Sequence, residues 1–483
     1  MKNFGIKQKT GLLSGVICFG VILLLPAPET MEPAAWRVTA LGTLMAIWWI
    51  TEAIPIAATS LLPIVLLPVL EVQSISDSTA PYANPLIFLF MGGFMIAIAM
   101  QRWNLHKRIA LNIVSFIGTK PSSILIGFII ASAFLSMWVS NTATALMMLP
   151  IALSIIQLAK SNGGEHSVHD SNFSLVLVLC IAYACNIGGV GTLIGTPPNA
   201  LAAGYMLETY GLDISFVKWM IAGLPIVIIG LPLMYLILSK LVYPVRLKEL
   251  PGGESLINNE LVKLGKINTP EKRVSIVFGV TALLWITRPL LSNFIPEISD
   301  AGIAIAAGVS LFLIPADIRK GQFLVNWEDI QKLPWGILIL FGGGLSLASA
   351  ISASGLADWI GQEIGALGFL PIFMMLIIVV AVIVFLTEMT SNTATAAAFV
   401  PILGSAAIGL GQDPLFFVIP AVIAASCAFM LPVATPPNAI VYASNEVSMA
   451  EMSKAGVWLN ITFIFFITIA AYTIIAWVYG FDM

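Results

Sequence analysis

The sequence predicts an all-α polytopic membrane protein made of two related halves. Hydrophobic residues make up 59% of the 483 residues and charged residues only 10%, and two polar motifs each occur twice within apolar segments. The mean hydropathy is +0.98, and a soluble domain carries about 25% charged residues. We therefore expect the lipid bilayer to be the main partner of the surface. The net charge of −3 gives no indication of nucleic-acid binding.

The doubled motifs carry most of the functional information. Ser-Asn-Thr-Ala and Thr-Pro-Pro-Asn occur in the same order in both halves, at 140–143, 196–199, 391–394 and 435–438. Paired polar interruptions of paired apolar segments are typical of secondary transporters built from inverted repeats, whose site lies at the bilayer midplane.

The two halves also share a sequence register. The step from residue 140 to residue 391 also relates Gly92 to Gly343 and Pro150 to Pro401. The step between the second motifs is shorter, because the first half carries a longer polar segment at 161–172, predicted as a loop. A common register over so many residues indicates an internal duplication.

We predict eleven transmembrane helices and two re-entrant hairpins. A membrane-spanning helix needs about 20 apolar residues. The two hairpin regions are longer than that and are interrupted at Ser-Asn-Thr, so each is predicted to enter and leave the membrane on one side. The predicted spans are 11–26, 35–52, 54–70, 86–101, 173–205, 215–242, 274–291, 300–316, 334–352, 415–445 and 453–480. The predicted hairpins are 121–158 and 371–410.

These segments divide the chain into four parts. The N-terminus and first span occupy 1–34, and repeat 1 occupies 35–242, with a broken span at 173–205. A polar cytoplasmic linker is predicted at 243–273, followed by repeat 2 at 274–483, with a broken span at 415–445. An odd number of crossings in repeat 1 makes repeat 2 enter the membrane in the opposite orientation.

The N-terminal segment has two interpretations. Lys2, Lys7 and Lys9 precede an apolar run at 11–25, a pattern shared by secretory signal peptides and first membrane spans. We expect a retained span with a cytoplasmic N-terminus, in a multi-pass protein of the plasma (inner) membrane.

The distribution of basic residues is consistent with this orientation. Of the 22 lysines and arginines, only Arg37, Lys218 and Arg288 are then placed outside. The positive-inside rule predicts such an asymmetry. Counting either hairpin as a single crossing would remove it.

The residue types of the first motif suit a site for ions and polar solutes. Each Ser-Asn-Thr supplies two hydroxyl groups and one amide, and helix breaks add N–H groups for anions and free carbonyls for cations. Sodium prefers several hard oxygen ligands, by analogy with other hard cations. The candidate substrate contacts of this motif are Ser140, Asn141, Thr142, Ser391, Asn392 and Thr393.

The second motif predicts a break in each facing span. Two adjacent prolines remove helix donors and clash with the preceding turn, so the chain must unwind and leave carbonyls free. Gly195 and Ala434 come directly before the two copies and keep the backbone uncrowded. One helical turn before each Ser-Asn-Thr stands a further hydroxyl, Ser136 or Thr387.

Two acidic residues and two glycine clusters have structural interpretations as well. An acid inside the membrane is functional by default, but Glu52 lies near the inner end of its span, where it could equally extend to the interface. Glu388 adjoins the second Ser-Asn-Thr and would repel an anion, so we interpret it as a structural or gating residue. The glycines at 92–93 and 342–344 are interpreted as close-packing positions.

The two doubled motifs, together with the segment Trp-Ile-Thr-Glu-Ala-Ile-Pro at 49–55, resemble the divalent anion/sodium symporter family, the INDY-type dicarboxylate transporters. The resemblance covers nearly the whole chain. It implies eleven spans with two hairpins, a homodimer held by scaffold spans, and elevator-like motion of a transport domain.

The resemblance also implies ligand positions. One sodium ion would be held by Ser136, Ser140, Asn141 and the carbonyl of Gly195. The second would be held by Thr387, Thr390, Asn392 and the carbonyl of Ala434. Substrate carboxylates would contact Asn141, Thr142, Asn392, Thr393, Thr196, Pro197, Thr435 and Pro436.

These considerations predict sodium-coupled symport of C4 dicarboxylates such as succinate, with two or more sodium ions. Neither motif contains a lysine or arginine, so a dianion at the midplane needs cations as partners. A sodium-independent dicarboxylate exchanger, a sodium/sulfate or tricarboxylate symporter, and a proton-coupled variant using Glu388 are the alternatives on the same fold. We do not expect an enzyme, because the spans lack Ser with His or Lys and lack an Asp pair.

Overall fold

The computed structural model describes residues 5–162, 168–247, 249–250, 252–365 and 370–481. Within these ranges the chain is almost entirely helical, and the only sheet is an antiparallel hairpin of two short strands, β1 Pro315–Asp317 and β2 Gln322–Phe323. Nine helices of the described part are long and apolar enough to cross a bilayer, and five further apolar helices are shorter. The predicted all-α polytopic class is therefore confirmed.

In the first half of the chain, the described residues form twelve α-helices. A 3-10 turn at Ala80–Ala83 joins the fifth helix to the sixth, and a π-helical turn at Ile237–Val242 extends the twelfth. The helices are α1 Ile6–Leu24, α2 Pro33–Thr51, α3 Ile56–Thr59, α4 Leu62–Val69, α5 Ile75–Thr79, α6 Pro85–Arg102, α7 Leu105–Ile117, α8 Pro121–Ser136, α9 Asn141–Asn162, α10 Val168–Gly189, α11 Pro197–Tyr210 and α12 Phe216–Leu236.

The residues that the structure describes in the second half form twelve more α-helices. A π-helical turn at Ala471–Ile475 joins the last two. The helices are α13 Gly253–Leu264, α14 Thr269–Leu291, α15 Asp300–Leu313, α16 Trp327–Ile330, α17 Trp335–Ala353, α18 Leu356–Gly365, α19 Ile372–Thr387, α20 Asn392–Gly409, α21 Pro414–Ser426, α22 Pro436–Tyr442, α23 Met449–Ala470 and α24 Ala476–Tyr479.

The helices fall into a buried centre and an exposed periphery. In the most apolar stretch of α10, 94% of the residues are buried by protein, compared with 11% in α1 and 22% in α14. Because apolar side chains of α1 and α14 remain uncovered, these helices form the surface that faces lipid. The broken helix that carries the first Thr-Pro-Pro-Asn motif is therefore the core of the molecule.

Each doubled motif lies where a helix ends and the next one begins. The chain leaves α8 at residue 137 and starts α9 at Asn141, and residues 137–140 are called tip 1; the corresponding tip 2 is 388–391. Residues 190–196 separate α10 from α11 and are called break 1, and residues 427–435, between α21 and α22, are called break 2. Proline occupies the first turn of α11 and α22, where its missing N–H has no helical partner to lose.

Several sequence predictions need correction. The predicted span 54–70 is two helices, α3 and α4, interrupted at residues 60–61, and the predicted span 300–316 ends at Leu313, because Pro315 starts β1. The predicted loop 161–172 is helical up to Asn162 and again from Val168, and 163–167 lie outside the described residues.

The linker at 243–273 and two connections contain helices that the sequence analysis did not assign. Helix α13 lies within the linker, and α7 and α18 follow α6 and α17 in corresponding places of the two halves. These helices carry polar residues on one face and apolar residues on the other, such as buried Leu111 and exposed Asn112 in α7. A search for apolar spans misses them because they are amphipathic.

The glycines at 92 and 343 allow equivalent close contacts in the two halves. A methyl group on Gly92 would overlap the main chain of Ala304 in α15, and one on Gly343 would overlap the main chain of Ser60, between α3 and α4. The predicted close-packing role is confirmed at both positions. The repeat therefore reproduces a helix contact as well as a motif.

We expect Gly343→Ala to lower the melting temperature of the purified protein, because overpacking against main chain costs about 1–3 kcal/mol. The matched control is Gly279→Ala in α14, where nothing lies within 4 Å of the added methyl group. Equal melting temperatures for the two variants would show that α17 can move away from Ser60 at no cost.

Candidate functional site

The first half-site is a cluster of oxygen atoms around Ser136. Its hydroxyl oxygen lies within hydrogen-bond distance of Oδ1 of Asn141 and 2.7 Å from the carbonyl oxygen of Cys185. A hydroxyl group has one hydrogen, so it can satisfy only one of these two acceptors at a time. The cluster therefore has more acceptor oxygens than hydrogens to share between them.

Gly195 belongs to the same cluster. A methyl group on Gly189 would lie 3.1 Å from the carbonyl oxygen of Gly195 and 3.3 Å from Oδ1 of Asn141, so both oxygens lie over the Gly189 backbone. A methyl group on Gly195 would itself overlap the carbonyl of Gly189. The structure thus brings three of the predicted sodium ligands together, and the close approach of break 1 to the end of α10 requires glycine at position 195.

The second half-site repeats the pattern around Thr387. The Thr387 hydroxyl oxygen lies 2.6 Å from Oδ1 of Asn392 and 2.9 Å from the carbonyl oxygen of Ala425. The residue is fully buried. The repeat mates Ser136 and Thr387 therefore occupy the same chemical position, as the sequence predicted.

The other predicted metal ligands occupy more varied positions. Ser140 is exposed, and its hydroxyl oxygen accepts a hydrogen bond from the Ala143 amide at 3.3 Å. Thr390 is buried, and its hydroxyl oxygen lies 2.9 Å from the carbonyl oxygen of Leu386 and 2.6 Å from Oγ1 of Thr395. The side chain of Thr390 is thus hydrogen-bonded to groups other than Thr387 and Asn392. Ala434 is buried at the end of break 2.

The predicted substrate contacts gather at the starts of four helices. Asn141, Asn392, Pro197 and Pro436 are the first residues of α9, α20, α11 and α22. Thr142, Ser391 and Thr393 are half-buried beside them, whereas Thr196 and Thr435 are buried and Pro436 is exposed. Helix N-termini carry partial positive charge, which favours anions. The starts of α9 and α20 add main-chain N–H groups, whereas α11 and α22 each begin with two prolines, which have no N–H.

The fourth residue of Thr-Pro-Pro-Asn closes each break. The Asn199 amide donates to the carbonyls of Gly189 at 3.0 Å and Thr192 at 2.8 Å. The Asn438 amide donates to the carbonyls of the repeat mates, Ala428 and Leu431, both at 3.1 Å. These two asparagines hold the unwound segments in shape. Our sequence analysis did not assign them a role, although their place in a repeated motif was the available signal.

Two residues of α10 connect the half-sites to each other. The Asn186 amide donates to the carbonyl of Ala428 at 3.0 Å and to Oγ1 of Thr435 at 3.3 Å, and the Tyr183 hydroxyl donates to the carbonyl of Phe429 at 2.6 Å. All of these acceptors are in break 2, so the first half supports the second. Two polar residues three apart in an apolar helix were the only sequence signal for this link, and our sequence analysis did not use it.

The two acidic residues have different environments. Glu52 is exposed and ends α2 with a φ of 50°. Glu388 is buried in tip 2, and its carboxylate accepts hydrogen bonds from break 2 and from Asn460. Its interpretation as a structural partner agrees with these contacts.

Basic side chains are almost absent from the tips and breaks. In the described part of the chain, the one that contacts a tip is Lys7, whose exposed ammonium group donates to the carbonyl of Met389 at 3.1 Å. This lysine caps a main-chain oxygen on the outside of tip 2. The clusters themselves consist of neutral oxygen atoms.

The comparison with known families agrees with this architecture. The model of a family described as the sodium:sulfate symporter transmembrane region matches residues 7–480. The chain belongs to this family of divalent anion/sodium symporters. The family predicted from the doubled motifs is therefore confirmed, and this symporter-family chain is a multi-pass membrane transporter.

Curated relatives of this symporter-family chain align over its full length. A sodium-dependent dicarboxylate transporter, SdcS, from Staphylococcus saprophyticus is 46% identical over 489 residues, covering 100% of this chain and 94% of the relative. The SdcS protein of Staphylococcus aureus strain USA300 is 45% identical over 490 residues, with the same coverage. The similarity to these relatives therefore extends over all of this chain and nearly all of theirs.

A solved structure shares the fold. The YdaH transporter of Alcanivorax borkumensis, described as having an unusual topology, superposes with a TM-score of 0.59 at 14% sequence identity, covering 91% of this chain and 99% of that one. At this identity the likeness concerns the fold alone.

We expect Asn438→Ala to destabilise the purified transporter by about 1–3 kcal/mol, because it removes two hydrogen bonds to carbonyls of break 2 and each such bond contributes about 0.5–1.5 kcal/mol. The melting temperature measures this loss. Asn293→Ala, at an exposed position after α14, is the matched control and should leave the melting temperature unchanged. A melting temperature equal to that of the control would contradict the proposed stabilising role of Asn438.

Proposed function

We propose that this transporter is a sodium-coupled symporter of C4 dicarboxylates of the succinate type. Two or more sodium ions are the coupling ions. The observation that carries the proposal is the excess of acceptor oxygens in both clusters, where one hydroxyl hydrogen faces two oxygens around Ser136 and again around Thr387.

A monovalent hard cation suits this chemistry. Hydroxyl, amide and carbonyl oxygens are the neutral ligands that hard cations accept, and such a cation removes the mutual repulsion of oxygens that lack hydrogens. The first sodium ion is proposed to contact Ser136, Ser140, Asn141 and the carbonyl of Gly195. The second is proposed to contact Thr387, Asn392 and the carbonyls of Thr390 and Ala434. The names of the SdcS relatives as sodium-dependent transporters support this choice of ion.

The substrate follows from what surrounds the clusters. The N-termini of α9 and α20 offer main-chain N–H groups to carboxylates, whereas α11 and α22 each begin with two prolines, which have no N–H. The motif side chains add Ser140, Thr142, Ser391, Thr393, Thr196 and Thr435. No arginine or lysine side chain enters either cluster in the described ranges, so the bound sodium ions compensate the two negative charges. Without them, desolvating the dianion costs several kcal/mol per charge.

The duplication supports an alternating-access cycle. In our proposal sodium binds first and orders both tips, and the dicarboxylate then binds between them. The tips, breaks and their helices move together as a transport domain relative to scaffold helices, in an elevator-type motion within a homodimer. The protein is proposed to lie in the plasma (inner) membrane with its N-terminus in the cytoplasm, and to catalyse no covalent chemistry.

Replacement of external sodium by choline should abolish concentrative succinate uptake into proteoliposomes. The physical reason is that the dianion then has no charge partner at the site. Uptake that proceeds equally in choline but requires unlabelled dicarboxylate inside the vesicles would instead identify an exchanger. If sulfate or citrate competes with labelled succinate uptake more strongly than malate and fumarate do, the protein is instead a sodium/sulfate or a tricarboxylate symporter.

Loss of one cluster oxygen should weaken sodium binding while a retained hydroxyl should not. We expect Thr387→Val to raise the half-saturating sodium concentration for uptake about tenfold, the equivalent of about 1.4 kcal/mol. Thr387→Ser, which copies the residue of the other half, is the control and should remain close to wild type. If uptake by Thr387→Val shows the same sodium dependence as wild type, the Thr387 hydroxyl is not a sodium ligand.

Asn141→Ala and Asn392→Ala should abolish uptake while the protein still inserts in the membrane.

A further inference from the structure

Three successive main-chain N–H groups of break 2 point at one carboxylate. Oε1 of Glu388 accepts from the amides of Phe429 at 2.7 Å and Met430 at 2.9 Å, and Oε2 accepts from Met430 at 3.0 Å and Leu431 at 3.1 Å. Consecutive N–H groups that converge in this way form an anion-binding concavity. Its occupant here is a side chain of the protein itself.

The partners of Glu388 match an ionised carboxylate. A fourth N–H donor, Nδ2 of Asn460 in α23, lies 2.9 Å from Oε1. Every hydrogen bond given for the carboxyl group in the described residues is accepted from N–H, as an ionised carboxylate requires. No ion pair joins Glu388 to a lysine or arginine in this part of the chain. Among the described residues, the negative charge of the carboxylate is therefore stabilised by N–H dipoles and not by a basic side chain.

The first half joins its tip and break at the same position without a charge. Met137 is the repeat mate of Glu388, and its carbonyl accepts a hydrogen bond from the hydroxyl of Thr192 at 2.5 Å. Thr192 is the repeat mate of Leu431, one of the three N–H donors in break 2. Both halves thus link equivalent residues of tip and break, and only the second half uses an anion.

We propose that Glu388 is a built-in anion that holds tip 2 to break 2 and, through its negative charge, strengthens cation binding at the second oxygen cluster. Glu388 follows Thr387, whose hydroxyl belongs to that cluster, and Leu431 accepts a hydrogen bond from the amide of Ala434 at 3.2 Å. The carboxylate therefore links the two chain segments that supply the cluster. Glu388 is a positioning residue, and the proposal rests on the proposed function in that the cluster binds sodium.

The test is sodium binding in the absence of any dicarboxylate. The rise in melting temperature of the purified full-length protein with sodium chloride, at constant ionic strength set with choline chloride, gives a half-saturating sodium concentration. We expect Glu388→Gln to raise this value about tenfold or more, because the variant removes the negative charge beside the second oxygen cluster; tenfold corresponds to about 1.4 kcal/mol. Glu388→Asp, which keeps the carboxylate, should recover most of the difference.

Two comparisons separate this role from general stabilisation. Glu52→Gln removes an acid of the same type from the exposed end of α2 and should leave the half-saturating sodium concentration unchanged. In Glu388→Ala, added formate should occupy the concavity and lower the half-saturating sodium concentration, whereas formate should have no such effect on wild type or on Glu52→Gln. If Glu388 had only a structural role, Glu388→Ala would have a lower melting temperature, and added formate would not lower its half-saturating sodium concentration.

The outcomes are distinguishable. A Glu388→Gln protein with the wild-type half-saturating sodium concentration, or a folded Glu388→Ala protein indifferent to formate, overturns the proposal. If neither neutral variant folds, Glu388→Asp decides the matter. A half-saturating sodium concentration about tenfold or more above the wild-type value then overturns the proposal, because this variant keeps the negative charge. Absence of sodium stabilisation in wild type would instead count against the proposed function.

Discussion

The architecture depends on two clusters in the centre of the protein in which acceptor oxygens outnumber the hydrogen-bond donors. In each half, one hydroxyl group lies between an asparagine amide oxygen and a main-chain carbonyl oxygen, and it can donate to only one of them. Buried acceptors without donors are unfavourable, so such a cluster persists only where the rest of the fold holds it. The asparagines of the second motif, the glycines of break 1 and the links from α10 to break 2 all serve that purpose.

The surroundings of these clusters explain why they are built at helix ends. A continuous helix satisfies its carbonyls internally and exposes none to a ligand. The double prolines interrupt α10–α11 and α21–α22, and the asparagine that follows each pair rebinds two of the freed carbonyls while leaving others available. The break is therefore rigid, which suits a site that must hold ions and a substrate in a defined arrangement.

The two halves have the same arrangement of tip and break but join them by different hydrogen bonds. Break 1 satisfies its own amides through turns such as Val190 to Ile187 and Gly191 to Gly188, and it is joined to tip 1 by a neutral hydroxyl. Break 2 turns three amides toward Glu388 and depends on Tyr183 and Asn186 of the other half. The second half thus depends on contacts that the first half supplies, so both halves form the central site together.

The sequence by itself determined the class, the duplication and the positions of the helix ends. Extreme hydropathy leaves few alternatives to a polytopic helical protein, and prolines and repeated polar residues act locally, so tips 1 and 2 and both breaks were predicted near their observed positions. The sequence also predicted that Ser136 and Thr387 occupy equivalent positions in the two halves, because each lies four residues before a Ser-Asn-Thr motif. The tertiary structure alone decided the rest: that Cys185 and Ala425 supply carbonyl oxygens, that Asn186 reaches the carbonyl of Ala428, and that Glu388 faces three amides. These contacts join residues far apart in the chain through main-chain atoms, and main-chain atoms are the same for every residue type and so leave no mark in the sequence.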